Sequence, residues 1–449
     1  MSLPKYPEYK DSGVAWPRII PEPWKVARLM WAASCNDETL PEETSADYSI
    51  EYVDIGSVSL DCGIERTEAL AFRDAPSRAR RRVRDGDVIV STVRTYLKAI
   101  APIVAPPENL IVSTGFAVIR SQSALNAGFT KFVVQAGGFV DEVISRSTGV
   151  SYPAINASEL MRIEIPVPSL VEQTAIAAFL DRETAKIDAL IAEQEKLIAL
   201  LAEKRQATIS HAVTRGLNPA APMKDSGVEW LGQVPAHWEV KRVRYLADSV
   251  KTGGTPTSEV PSSEIDDGVD WYTPGDFNGE IKLGRSNKKI SQNVAESSEA
   301  KIFPPRAILI VSIGATLGKI GLTDRVSSAN QQINAITVSE NYDSRFIAYS
   351  LSVKTEEMRN LSNASTIGIM NQEKTKEIVI PSPQKFEQIT ISDFLDSELV
   401  KLNILESEVF SAIALLKERR AALIAAAVTG QIDVRGLVDA PASPAPEAA

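Results

Sequence analysis

Apolar positions along the chain fall into two kinds of pattern, and both kinds occur twice. From Ile176, alternating steps of four and three residues reach Leu180, Glu183, Ile187, Leu190, Gln194, Leu197, Leu201, Lys204, Thr208 and His211. The same stepping from Ile391 reaches Leu395, Glu398, Leu402, Leu405, Val409, Ala412, Leu416, Arg419, Leu423 and Ala426. Both are heptad seams, apolar in the middle and polar at corresponding places, and they predict two long helices. Pro168, Ser169 and Glu172 supply a start to the first: a tolerated proline, an N-cap and a capping-box glutamate. Gly216 and the proline-containing stretch 217–222 end it. Ahead of each helix the apolar runs are short. Between Lys25 and Glu164 they are Tyr52–Val58, Val88–Thr92, Ala99–Val104 and Phe116–Ile119, punctuated by turn residues such as Asp85-Gly86 and Pro106-Pro107. Between Val240 and Val379 they are Ile308–Ile313, Lys319–Leu322 and Ile333–Val338. These runs predict short strands, with a helix over Phe129–Ser145 in the first region and over Phe346–Leu361 in the second. A polar loop, 147–156 and again 362–371, precedes a short strand at Ile163–Val167 and Ile378–Ile380.

The helices are copies of each other. Ile165–Thr214 aligns on Ile380–Thr429 without a gap at an offset of 215. Pro166 falls on Pro381, Glu172-Gln173 on Glu387-Gln388, Phe179-Leu180-Asp181 on Phe394-Leu395-Asp396, and Ala212-Val213-Thr214 on Ala427-Val428-Thr429. A lead-in segment, Lys10–Leu29, returns as Lys224–Arg244 at an offset of 214, matching at Trp16/Trp230, Pro21/Pro235, Trp24/Trp238, Val26/Val240 and Arg28/Arg242. The globular regions match only at scattered points: Ser91/Ser312, Lys98/Lys319 and Asn156/Asn371. The helices therefore share one job and the globular regions have two different ones. About 45 helical residues would span roughly 67 Å, too long to be buried in a domain of this size. Pairing of the two copies within the chain is the simplest solution, and an intermolecular coiled coil is the alternative. The expected organisation is a lead-in (1–24), a globular region (25–164), a long helix (165–216), a linker with the repeated lead-in (217–239), a second globular region (240–379), a second long helix (380–436) and a disordered Pro/Ala-rich tail (437–449). The fold class is α+β, with an internal tandem repeat in a pseudo-two-fold arrangement.

Composition and charge add several constraints. A length of 449 residues implies more than one core. Two cysteines, Cys35 and Cys62, make no disulfide framework and no zinc set, which fits a reducing compartment. The first residues carry no apolar run of the signal-peptide kind, and no stretch reaches the roughly 18 apolar residues of a membrane span; a cytoplasmic protein is expected. The net charge of −10 argues weakly against nucleic acid as a partner. The basic residues are concentrated, however. Arg78, Arg80, Arg81, Arg82 and Arg84 fall within seven residues. They form a solvated charged face or contact phosphates with counterion release. Loop side chains able to read base edges are Ser91, Arg94, Thr95, Tyr96 and Lys98 in the first region, and Ser312, Thr316, Lys319, Asn330, Gln331, Gln332 and Asn334 in the second. A purely structural role is the alternative for each. Trp16, Trp24, Trp230 and Trp238 are packing anchors of a docked lead-in or contacts for a partner.

Candidates for covalent chemistry are poor. Gly314–Lys319 imitates a phosphate-binding loop but is one residue short and has Ile320 in place of the magnesium-binding hydroxyl. Asp276, Glu280 and Lys282 imitate a nuclease cluster, but Asp276 and Glu280 are too close in sequence for separate strands. His211 sits late on the first seam, and His237 replaces Pro23 of the first lead-in. The sequence contains no Asn/Asp-Pro-Pro-Tyr/Phe tetrapeptide and no glycine-rich cofactor turn. No catalytic residue and no metal ligand is assigned.

The lead-ins KDSGVAW…PEPW and KDSGVEWLGQVPAHW, the helix openings IPVPSLVEQTAIAAFLD and IPSPQKFEQITISDFLD, and the helix endings EKRQATISHAVTRG and KERRAALIAAAVTG resemble the specificity subunit of Type I restriction–modification enzymes. These motifs cover about a third of the chain. The departure is Pro17-Arg18, where the second copy has Leu231-Gly232. The resemblance implies two α/β target recognition domains with short mixed strands, each reading one half of a split DNA sequence. It implies that the two helices form an antiparallel coiled coil, and that two modification subunits bind, bringing S-adenosylmethionine and adenine-N6 methylation. Restriction subunits, with ATP and Mg, would join the full phage-defence complex. The chain itself would be non-catalytic and would bind no cofactor. A coiled-coil scaffold for proteins, without DNA binding, is the competing class.

Overall fold

The computed structural model describes residues 3–229, 231–297, 299–361 and 368–437. The chain divides into two units. One consists of Met1–Glu195 and Phe410–Ala449, the other of Lys196–Val409. Each long helix runs through both, as Leu170–Arg215 and Lys385–Val428. Each unit thus owns the start of one helix and the end of the other.

Within the first unit, two four-stranded sheets carry the globular region. One has the order Ile100–Pro102, Val88–Ser91, Phe116–Ser121, Ala33–Cys35, and is antiparallel throughout. The other has the order Glu68–Ala71, Ser49–Val53, Leu110–Ser113, Ala79–Arg82, with its central pair parallel. The second unit repeats this topology. Its sheets run Ala247–Thr252, Ile333–Val338, Ile308–Val311, Ile320–Leu322 and Lys289–Ser291, Gly268–Tyr272, Ser327–Ala329, Ile302–Phe303, again with a parallel central pair in the second. Val88–Ser91 and Ile308–Val311 are buried at every position, so both faces of these central strands are covered. Two domains that share little sequence therefore share one strand order.

The helix predicted over Phe129–Ser145 is two helices, Ala127–Gln135 and Gly137–Ser145, broken at an extended Ala136. The lead-in packs against the second of them. A Cβ on Gly138 would lie 2.0 Å from Trp16 Nε1, so the indole takes the space over the second helix. The helix predicted over Phe346–Leu361 is likewise two, Ser344–Ser352 and Thr355–Leu361. The loop 362–371 lies partly outside the described residues, as do Trp230 and the tail beyond Leu437.

The repeated Glu-Gln pair explains why the helix openings match. Glu172 closes the capping box with Ser169 and also accepts a hydrogen bond from the fully buried Trp24 Nε1 at 3.2 Å. Glu387 accepts from the equally buried Trp238 Nε1 at 3.0 Å. Gln173 accepts from the Asn126 N–H and donates to the Ala124 and Pro168 carbonyls; Gln388 accepts from the Asp343 N–H and donates to the Pro383 carbonyl. Asn126 and Asp343 cap the first domain helix in their units. The glutamate thus fastens the lead-in, and the glutamine fastens the domain, to the same helix start.

In each unit the two long helices run antiparallel. In the first, Ile176, Phe179 and Leu180 pack with Ile424, Ala427 and Val428 in one core, and Arg420 Nε lies 3.1 Å from Asp188. In the second, Ile209, Ala212 and Val213 share a core with Ile391 and Leu395, and Arg205 bonds Asn403 and, at 3.0 Å, Glu406. Arg205 and Arg420 are equivalent in the repeat, as are Asp188 and Asn403. An antiparallel pairing of the repeated polar seam positions would set Glu183 by Arg419 and Glu398 by Lys204. Glu183 pairs with Arg182 and Lys186 and Glu398 with Lys401, all on their own helices. The inter-helix cation sits one position along from the seam, where a long guanidinium can reach round the apolar stripe.

The far helix ends close each unit. Tyr9 OH donates to the Gly430 carbonyl, and the Asp433 N–H to the Pro4 carbonyl, so the end of the second helix meets the first lead-in. Gly216, at the end of the first helix, lies against Trp238 of the second lead-in. No described helix is long and apolar enough to cross a membrane.

Candidate nucleic-acid interface

Two loops of the first unit form one exposed surface. The segment after the strand Val88–Ser91 passes through Thr92–Lys98, with Arg94 (φ 50°) and Lys98 (φ 51°) both left-handed around a single 3-10 turn. Non-glycine residues enter this region at a cost, and such geometry clusters at functional loops. The base of the loop is pinned. Ser91 Oγ donates to the Val93 carbonyl at 2.6 Å, Thr95 Oγ1 donates to Ser147 Oγ at 2.8 Å, and the Ile155 N–H donates to the Thr92 carbonyl at 2.9 Å. Val93 bridges Ala154, which in turn bridges Thr148, tying in the loop 147–156. Ser91 and Thr95 are therefore 3% exposed, and their hydroxyls are spent inside the protein. Arg94 and Lys98 project outward together with Tyr96 (52% exposed). Tyr152 from the second loop is 65% exposed and lies under the Arg94 guanidinium, 5.1 Å from ring centre to Cζ. Sequence reasoning passed over Tyr152, Leu97 and Val150, because loops that fold against each other leave no local signature.

The second unit has the same base but a different outer face. Ser312 Oγ donates to the Gln332 carbonyl at 2.8 Å and is 2% exposed. Ile313 bridges Ile369, as Val93 bridges Ala154. Asn334, 1% exposed, donates to the Met370 carbonyl and to Thr375 Oγ1 and accepts from Thr252 Oγ1. Asn330, 9% exposed, donates to Gln332 Oε1. Lys319 Nζ donates to the Phe277 carbonyl at 2.9 Å. Only Gln331, which accepts from Thr255 Oγ1, is well exposed, and Thr316 is half-buried. Ser91, Thr95, Ser312, Asn330 and Asn334 are thus buried, with their side chains hydrogen-bonded inside the protein.

The five arginines do not form one patch. Ala79–Arg82 is a strand at a sheet edge, so successive side chains leave on opposite faces. Arg78 pairs with Asp54 at 3.0 Å and donates to Tyr52 OH, and Arg84 pairs with Glu38 at 2.6 Å. Arg120 and then Arg84 donate to Glu38 and hold its carboxyl below the usual range. Arg80 stacks on Phe72 at 4.5 Å, Arg81 is half-buried, and Arg82 is exposed.

Trp24 and Trp238 are fully buried, each donating its indole N–H to its glutamate. Trp16 is half-buried against Gly138. Large aromatics do face outward at one repeated position, Trp31 (71%) and Tyr245 (63%). The two imitations of catalytic sites are structural. Asp276 closes a capping box with Thr273 and accepts from Asn287, and the Gly314–Lys319 loop is the turn between Ile308–Val311 and Ile320–Leu322.

Comparison with known proteins places the whole arrangement. The Type I restriction enzyme MjaIX specificity subunit of Methanocaldococcus jannaschii is 27% identical over 191 residues, 41% of this chain, and that match spans only 44% of the relative's length. The Type I restriction enzyme EcoBI specificity subunit of Escherichia coli is 22% identical over 417 residues, covering 86% of this chain and 87% of the relative. A chain from a solved type I R-M system superimposes with a TM-score of 0.67 at 23% identity, over 92% of this chain and 99% of its own, and so has the same fold. The sequence model of the Type I restriction modification DNA specificity domain matches residues 83–199 and 235–409, more than half of the sequence, and the chain belongs to that family.

Proposed function

We propose that this chain is the DNA sequence-recognition subunit of a Type I restriction–modification complex with adenine-N6 methyltransferase activity. It reads a bipartite target, with one half-site for each globular domain (25–164 and 240–379). One observation carries the reading: two domains of identical strand order present different outer loops, while the helices that bear them align without a gap and share their end motifs. Matching mounts with unlike faces suit a target whose halves differ. The repeated mounts would also offer equivalent surfaces to two modification subunits, which supply S-adenosylmethionine and the methyl transfer. Restriction subunits would add ATP-driven steps. The chain contributes no catalytic group; its residues bind, orient and set spacing.

Exchange of residues 25–164 for the corresponding domain of another specificity subunit tests the reading. Adenine methylation would be mapped in DNA from cells carrying the hybrid with its modification subunit. One half of the methylated motif is expected to change and the other to persist. A hybrid that altered both halves, or neither, would contradict the modular assignment. The scaffold alternative predicts no methylation motif that depends on this chain at all.

A further inference from the structure

The two recognition loops differ most at one pair of positions. In the repeat, Ser91 and Lys98 match Ser312 and Lys319, so Arg94 falls on Ala315 and Tyr96 on Leu317. Leu317 is 3% exposed, and Lys319 is held by the Phe277 carbonyl. The first domain thus offers a cation where the second offers a methyl group.

Arg94 is not an ordinary surface arginine. Arg78, Arg84 and Arg120 are each neutralised by a carboxylate. Among the described residues Arg94 makes no ion pair, as Arg80 on Phe72 and Arg82 make none, and what sets it apart is its loop. Its backbone is held left-handed by a loop base that is bonded on both sides, and its guanidinium lies on the exposed Tyr152 ring. An aromatic face beneath a guanidinium orients the fork and leaves its N–H edge free. An oriented fork can pair bidentately with a phosphate or with a base. A phosphate contact would be wanted in both domains, whereas this place is Arg94 in one and Ala315 in the other. Among bases, the guanine major-groove edge presents O6 and N7 as two acceptors at the spacing of the arginine fork.

We propose that Arg94, supported by Tyr152, is a specificity-determining residue of the first domain, and that its ligand is the major-groove edge of a guanine in the first half-site. The proposal rests on the DNA-recognition reading above. Tyr152 acts as a positioning residue, and the second half-site is read without an arginine at this place.

The test uses the full chain purified with its modification subunit, and duplex targets carrying the mapped motif. Replacing the guanine of the first half-site by 7-deazaguanine removes the N7 acceptor. Wild-type complex is expected to bind that duplex about 10-fold more weakly, while Arg94→Ala binds both duplexes equally and at the weaker level. Arg94→Lys keeps the charge, so the slope of affinity against salt should not change. Tyr152→Ala should lose discrimination without losing the salt slope, and the conservative Tyr152→Phe, which keeps the ring face, should restore discrimination. The proposal is overturned if the first half-site contains no guanine. It is also overturned if Arg94→Ala still discriminates the two duplexes, or if it weakens every single-base variant alike and lowers the salt slope by about one, the signature of a phosphate contact. Wild-type complex without any sequence preference would instead remove the recognition reading itself.

Discussion

At the scale of single residues, each repeated motif has a hydrogen-bonding reason. Glu172 and Glu387 sit at helix starts, where a carboxylate is favoured by the local dipole and by free N–H groups. Each then accepts an indole N–H from a fully buried tryptophan. The tryptophan contributes area, the glutamate satisfies its polar edge, and neither substitution is neutral alone. Trp238→Phe keeps most of the ring but deletes the donor to Glu387. It is expected to destabilise the second unit by about 2 kcal/mol, near the range for hydrogen bonds to charged groups, as read by urea denaturation. The loss stays moderate because His237 Nε2, 2.9 Å away, remains against the same carboxylate. The serines at the loop bases follow the same logic. Ser91 and Ser312 are equivalent because each hydroxyl holds a loop carbonyl, a role independent of what the loop reads.

At the scale of elements, the long helices are less evenly buried than their heptads suggest. Leu201 is 9% exposed and Leu402 4%, but Leu197 is 39% exposed and Leu190 51%, although all lie on the apolar seams. A pair of helices covers each seam from one side only, so burial depends on where the domain or lead-in adds a second wall. Leu201→Ala should therefore cost about 2–4 kcal/mol, whereas Leu197→Ala should cost under about 1 kcal/mol; equal losses in paired denaturation curves would contradict this division of the seam. Inter-helix ion pairs are secondary to the apolar contacts. Arg205 with Glu406 and Arg420 with Asp188 are partly exposed and belong to the class of pairs that contributes little energy but fixes register.

At the scale of the whole molecule, the repeat is a construction rule. Each unit takes its lead-in, its domain and one helix start from one half of the sequence, and its second helix end from the other half. Neither half is complete alone. Under the proposed function, the number of helical residues between the domains sets the length of the non-specific spacer in the target. Inserting two heptads in register into both long helices adds about 21 Å of helix, and should lengthen the spacer or abolish methylation. A methylation map with the original spacer would remove the helix from that role.

Much of this was legible in the chain. The helix positions, the tandem repeat, the capping box at Ser169 and Glu172, and the short-strand character of both domains follow from periodicity and local chemistry, which act over a few residues. The family motifs are local too. What the sequence could not reveal was which polar side chains face outward. Ser91, Asn330 and Asn334 have the composition of base readers but are buried by strands and loops distant in sequence. Tyr152 looked like part of a polar loop, and only the bridge from Val93 to Ala154 brings it beneath Arg94. Which tryptophan of the repeat is core and which aromatic is surface was also decided by packing. Local pattern determined the elements and their duplication, because helix and strand periods are set by neighbours along the chain. Tertiary structure alone decided which polar side chains face outward, because exposure and side-chain partnership are set by neighbours in space.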